Sequence, residues 1–351
     1  MNRFLKISSL VVITLVCIQG YRTYTSASPF YPIDPHFTGQ CKPITGVIGA
    51  EDITIDHANQ FAYISADDRR SVMANEPVTG GIYGLDLSTP DASPVLLTQR
   101  FSTDFHPHGI YLYQNNNGDD SLFVINHRNG GEQQIEIFDI KGVNRLIHRQ
   151  TISYPELISP NDIIAISPTQ FYATNDHGYP PGHFMQTFED YLGLPLSTVS
   201  YYDGSKGSIV AEGLMYSNGI AIADDLKTLY VAEILSRRIS IYDRDMSDGS
   251  LNKRGEIRVD TGADNLEWDD VGNLWLGAHP KPLDFAAHAK DETKRSPSQI
   301  LKIDVKSENP EFSEVYLSAG EDISASTVGA VSGDTLLIGS VFEGHILKCK
   351  L

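Results

Sequence analysis

Residues 218–248 read NGIAIADDLKTLYVAEILSRRISIYDRDMSD. Three short β-rich runs, at 219–223, 228–232 and 238–242, are separated by Asp-rich breaks, which is the grammar of strands joined by tight turns. The opening of this stretch, a polar residue entering an apolar strand, recurs. Glu51-Asp52-Ile53, His108-Gly109-Ile110, Asn161-Asp162-Ile163, Asn218-Gly219-Ile220 and Asp264-Asn265-Leu266 share it, and residues 324–328 (SASTV) form a weaker sixth. The openings lie roughly 50–60 residues apart, and a period near that length with several strands per unit marks a β-propeller. Six units predict six blades around a central tunnel. A β-sandwich would not require a polar residue at the same point of every unit.

In a propeller the first strand of each blade lines the axis. The repeated polar openings therefore predict a ring made of Glu51, Asp52, His108, Asn161, Asp162, Asn218, Asp264 and Asn265. Each Asn or Asp alone reads as a turn or strand cap, but five in register do not. Carboxylate and amide oxygens converging on an axis are costly without a cation. Calcium fits them, since it takes six to eight oxygen ligands from flexible sites, whereas zinc asks for nitrogen and sulfur.

The totals agree with a soluble globular protein that has acid to spare. Across 351 residues, 45 Asp and Glu face 27 Lys and Arg, a formal net charge of −18, which disfavours nucleic acid or an anionic surface as partner. Residues 7–18 (ISSLVVITLVCI) follow Arg3 and Lys6. The run is too short for a spanning helix and has the size and flanks of a secretory signal core. Residues 1–27 are therefore expected to be a signal peptide or an uncleaved hydrophobic anchor, and 28–40 a connecting segment before a single propeller domain at 41–351. Export leaves Cys41 and Cys349, near opposite ends of the domain, either bonded to each other or as two buried thiols. No Gly-x-Ser-x-Gly elbow and no Gly-x-Gly phosphate loop occurs.

At this point the chain resembles the paraoxonase/arylesterase family. The likeness rests on residues 49–52 (GAED), 107–110 (PHGI), 124–127 (VINH), 160–163 (PNDI) and 171–177 (FYATNDH). It continues through 211–213 (AEG), 218–220 (NGI), 229–233 (LYVAE), 264–265 (DN), 274–280 (LWLGAHP) and 337–342 (LIGSVF), and ends on the terminal cysteine segment. The resemblance implies a secreted or periplasmic, calcium-dependent lactonase and arylesterase with phosphotriesters as a side activity. It implies a catalytic calcium held by Glu51, Asn161, Asn218, Asp264 and Asn265, and a second, structural calcium on Asp52, Asp162 and the backbone carbonyl of Ile110. It also implies a His108/His127 dyad that activates water, and a Cys41–Cys349 bond. Asp264 and Glu51 compete with His108 as base. Two features depart from the better-known animal members: Tyr216, where an apolar aromatic is usual, and Arg69-Arg70 in an early loop. Residues 183–192 (HFMQTFEDYL) read as a short helix stopped by Gly193, by resemblance a lid at the mouth. The expected partner is a small lactone or ester, with lipid association through the N-terminus or the lid left open and no oligomeric state implied. The competing readings are a gluconolactonase-like propeller with one metal and a non-catalytic ligand-binding propeller.

Overall fold

The computed structural model describes residues 20–21, 32–115, 117–307 and 310–351. The expected leader falls almost wholly outside the described residues. Within them, twenty-four strands, numbered β1–β24 in chain order, form six four-stranded antiparallel sheets. Five sheets use four consecutive strands each; the sixth joins β22, β23 and β24 to β1 (Gln40–Thr45). This is a six-bladed β-propeller.

The inner strands are β2 (Ala50–Asp56), β6 (Pro107–Tyr113), β10 (Pro160–Ala165), β14 (Ser217–Ile222), β18 (Gly262–Trp268) and β22 (Ser326–Ser332). They pack on one another in ring order, with β22 closing onto β2. All six polar openings fall at the starts of these strands, the weak sixth included. Six apolar layers between neighbouring blades hold the ring; Ile53, Ala62, Val328 and Leu337, for example, fill the layer between the sixth blade and the first. Because blade faces look at each other, an unbroken inner strand would send its side chains into those layers. Each inner strand instead slips register against its neighbour at its opening, as between Pro107 and Ile110 or Ser217 and Ile220. A bulge re-aims side chains, and here it frees the polar residues to point at the axis. Glycine follows His108 and Asn218 because the next blade comes too close for a side chain: a Cβ on Gly109 would lie 2.5 Å from Asn161 O, and one on Gly219 2.5 Å from Asp264 O.

The stretch that shows the repeat is followed by a fourth strand that its pattern does not reveal. β17 (Leu251–Arg258, LNKRGEIR) is an outer edge strand, mostly exposed, so its side chains are polar and do not alternate. The same reason hides β1: Cys41 lies inside a strand rather than ahead of the first one.

Cys41 and Cys349 face each other in register across β1 and β24 (His345–Lys350) and are bonded. The bond therefore crosslinks the two outer strands of the sixth blade, and the ring closes because the chain's start completes its last sheet. It closes a loop spanning 308 positions, for which chain entropy gives about 5–6 kcal/mol. We expect Cys41→Ser to lower the melting temperature by several degrees; an unchanged melting curve would show that the β1–β24 hydrogen bonds alone hold the closure.

The helices α1 (Arg69–Met73), α2 (Phe184–Leu192) and α3 (Pro282–Lys290) each follow the second strand of a blade, in blades one, three and five. The antiparallel order puts them at the end of the ring where the inner strands begin. None of the helices in the described residues is long and apolar enough to cross a membrane.

Candidate active site

Among the described residues, five buried oxygens at the strand openings have no hydrogen-bond partner: Glu51 Oε2, Asn161 Oδ1, Asn218 Oδ1, Asp264 Oδ1 and Asn265 Oδ1. They come from four different blades, and they belong to the same five residues that the resemblance assigns to the catalytic calcium. Their companion atoms are held. Asn265 Nδ2 donates to Glu51 Oε1 at 2.8 Å and to the Glu51 carbonyl at 3.0 Å, and Thr327 Oγ1 donates to that carbonyl at 2.6 Å. Asp264 Oδ2 lies 2.6 Å from His279 Nε2. An unpaired buried acceptor costs about 1–3 kcal/mol, so five in one place form either a strained axis or a coordination shell.

The charges give the same choice. Burial, then the charge of Asp52, pushes the Glu51 carboxyl well above its usual range. Burial likewise raises Asp264, and raises Asp52 to about 7. A bound cation reverses these penalties by accepting the lone pairs and neutralising the carboxylates. Three amide oxygens and two carboxylates fit a hard, oxygen-seeking ion. Among the described residues no group of three or more His, Cys, Asp or Glu has the arrangement of a metal cluster; the convergence is of amide and carboxylate oxygens together.

Asp52 and Asp162 are engaged differently. Each accepts the next residue's amide on one oxygen, from Ile53 at 2.8 Å and Ile163 at 2.7 Å, and an amide of the following blade on the other. Those donors are Ile110 N to Asp52 and Ile220 N to Asp162, both at 2.8 Å. The contact seen for Ile110 is thus its amide. These two acids stitch blade one to two and three to four, and leave no orphan oxygen. Glu267, two residues beyond Asn265 on β18, is a further axial acid, raised well above its usual range by burial and then by Asp52 and Asp162. The repeat pattern does not mark it because it lies past the opening.

His108 and His127 stand edge to face with ring centroids 4.8 Å apart, the first on β6 and the second at the end of β7 (Ser121–His127). His108 Nε2 lies 3.6 Å from Glu51 Oε1, and His127 Nδ1 is hydrogen-bonded to Gln133. Arg69 approaches from α1: Nη2 lies 3.4 Å from His108 Nδ1 and donates to the Pro107 carbonyl at 3.0 Å, while Nη1 donates to the Gly49 carbonyl at 3.0 Å. Burial, then the charges of Arg69 and His127, hold the His108 imidazole well below its usual pKa, so it is neutral.

On another side of the mouth, His177 is clasped between two carboxylates. Its Nδ1 is 2.8 Å from Asp176 Oδ1, and its Nε2 is 3.0 Å from Asp190 Oδ1 on α2. Helix α2 runs as the sequence predicts, capped by His183 and ended by Gly193 in the left-handed region. It docks by its polar side, with Glu189 accepting the Gly178 amide at 2.9 Å, while Phe184, Phe188 and Tyr191 face outward. Burial would lower the His177 pKa, but Asp176 and Asp190 outweigh it and raise it to about 10. A raised histidine stabilises the fold fully below its unfolded pKa of about 6.5 and stops doing so as pH rises through the folded value. We expect Asp190→Asn to lower the melting temperature most near pH 6, with the difference shrinking toward pH 10. A pH-independent difference would show that the contact acts by packing.

Tyr216 lies between this clasp and the axis. Its backbone is in the left-handed region (φ 56), its amide donates to Ser197 Oγ at 2.7 Å, and its ring meets His177 edge-on at 4.8 Å. Burial, then Asp176, Asp190, Asp264 and Glu51, hold the phenol protonated well above its usual pKa.

Solved structures place the fold first. A luciferin-regenerating enzyme superposes with a TM-score of 0.56 at 16% identity, covering 89% of this chain and 95% of its own. A putative gluconolactonase gives 0.54 at 14%, covering 92% and 94%. The profile of the family described as Arylesterase matches residues 33–351. Serum paraoxonase/arylesterase 2 of Gallus gallus is 34% identical over 330 residues, 91% of each chain, and serum paraoxonase/arylesterase 1 of Homo sapiens is 33% identical, covering 95% of this chain and 94% of its own. The chain belongs to the arylesterase (paraoxonase) family of carboxylic ester hydrolases.

Proposed function

We propose that this arylesterase-family hydrolase opens lactones and cleaves aryl esters at a calcium held by Glu51, Asn161, Asn218, Asp264 and Asn265, with phosphotriesters as a side activity. The observation that carries the reading is the set of five orphaned oxygens on exactly these side chains. The chemistry calcium supplies when bound is polarisation of the ester carbonyl and stabilisation of the charge that develops on its oxygen. His108, neutral and beside the axis, takes a proton from the attacking water, and His127 orients it edge-on. One contact favours a second reading. Donation from Arg69 to Nδ1 places the neutral ring's proton on Nε2; while that contact lasts, His108 is a donor and Asp264 or Glu51 is the base.

A second calcium on Asp52, Asp162 and the Ile110 carbonyl rests on the family resemblance, and the raised acids Asp52, Asp162 and Glu267 give it an electrostatic reason. Export through residues 1–27 accords with the serum relatives and with the disulfide. The outward apolar side of α2 supports lipid association there. A panel of lactones, aryl esters and phosphotriesters, run with and without calcium chelation, tests the reading. Lactone and aryl ester turnover that vanishes on chelation and returns with calcium is expected; turnover indifferent to chelation, or none on any ester, contradicts it.

A further inference from the structure

We propose that His106 is a positioning residue: by occupying both oxygens of Asp67 it leaves the Arg69 guanidinium free to clamp the openings of the first two blades. This deepens the hydrolase reading, and its kinetic arm rests on that reading. Arg69 joins the two openings through backbone, donating from Nη1 to the Gly49 carbonyl and from Nη2 to the Pro107 carbonyl, each at 3.0 Å. Glu51 lies two residues after Gly49, and His108 directly follows Pro107. The bridge therefore sets the approach of His108 Nε2 to Glu51 Oε1, which is 3.6 Å. The same guanidinium reaches His108 Nδ1 at 3.4 Å. Among the described residues its partners are carbonyls and an imidazole, with no carboxylate among them.

A carboxylate stands close enough to compete for it. Asp67 lies two residues before Arg69, and Arg69 Nη1 is already 3.5 Å from the Asp67 carbonyl. An aspartate and an arginine this near form a charge-assisted pair when neither is otherwise engaged. His106 engages the aspartate. Its Nδ1 lies 3.2 Å from each Asp67 oxygen, and the two side chains are 4% and 5% exposed. Packing holds the carboxylate there, since even a Cβ on Gly80 would lie 2.9 Å from Asp67 Oδ1. The far side of the ring is fixed too. Asn129 Nδ2 donates to His106 Nε2 at 3.1 Å and to Asp104 Oδ1 at 2.9 Å, which puts the ring's proton on Nδ1, facing Asp67. The His106 backbone accepts the His127 amide at 3.0 Å and donates to Asn126 Oδ1 at 2.9 Å, so the ring is anchored to the second blade. Neither side chain of the pair hydrogen-bonds to one of the five axial residues; the pair acts through Arg69.

Replacing His106 by Phe leaves a buried carboxylate without a partner, and the Arg69 guanidinium turns to it. The test compares His106→Phe, Asp67→Asn and the double variant with the native protein at saturating calcium. It reads kcat and KM on an aliphatic lactone, and the nitrogen NMR signals of the His108 ring, which report the donation from Arg69 without any turnover. For His106→Phe the expected result is a shifted Nδ1 signal and a 10- to 100-fold fall in kcat, with KM changed less than about threefold. The fall comes from misplacing His108 and Glu51, which stand on the two openings. Asp67→Asn removes the competitor, so alone it should leave kcat within about threefold of native, and added to His106→Phe it should restore both kcat and the Nδ1 signal. A pair that is merely structural gives the opposite. Asp67→Asn then loses as much as His106→Phe, and the double variant recovers nothing; either result overturns the proposal. Native-like kcat in His106→Phe, or a fall with the Nδ1 signal unmoved, overturns it as well. The double variant carries no unpaired buried charge, so it decides the matter even where His106→Phe does not fold. A native protein that opens no lactone sinks the hydrolase reading, a different failure, and the Nδ1 signals still judge the clamp.

Discussion

Asp264→Ala is expected to lose both the metal and the chemistry. Asp264 offers one orphaned oxygen to the axis and is held by His279 through the other, so its removal deletes a charged ligand and leaves four neighbours with no better arrangement. Losing a residue that merely orients a ligand costs 10- to 100-fold in affinity, so loss of the ligand itself should exceed about 100-fold. Turnover should fall with it, and excess calcium should restore part of the rate. The fold should survive, because the apolar layers between blades do not involve Asp264. Calorimetric calcium affinity within threefold of the native value would show that Asp264 is not a ligand.

His108→Gln should separate chemistry from binding. It is expected to keep calcium affinity and melting temperature while losing roughly 10²- to 10⁴-fold in lactone turnover, the range for removing a general base. The pH profile sharpens this. A base works when neutral, so the rate falls as pH drops through its pKa. Burial, Arg69 and His127 place that limb below the usual histidine value of about 6.5. Arg69→Met removes one of those causes and should move the limb upward. If His108→Gln retains near-native turnover, His108 is a positioning donor and the contact with Arg69 has decided the matter in favour of a carboxylate base.

The fold was legible because its defining feature is a one-residue event repeated six times. Each inner strand carries a bulge, and a bulge at the axis demands a polar residue, so the sequence shows the ring directly. The outer strands β1 and β17 were not legible, since most of their side chains are solvated and no apolar face is left to alternate. The five axial oxygens could be named from their register and the family likeness, but not their state. That Asp52 and Asp162 spend their oxygens on amides of the next blade, while Asn218 and Asp264 keep one free, depends on ångström-scale approach between blades. The clasp on His177 was also out of reach: it joins Asp176 and Asp190 across a loop and a helix whose docking side is polar, opposite to what its apolar spacing suggests. Glu267 is hidden for a simpler reason, since a Glu past the end of a motif looks like any strand residue.

The central claim is that the orphaned oxygens are a calcium shell on which ester hydrolysis depends. It is tested most directly by titrating calcium into chelated, metal-free native protein while following lactone hydrolysis and the melting temperature. The account predicts no hydrolysis at the start, and a recovery of rate and a rise in melting temperature that saturate together as the site fills. Full lactone turnover by protein shown to contain no calcium would contradict it.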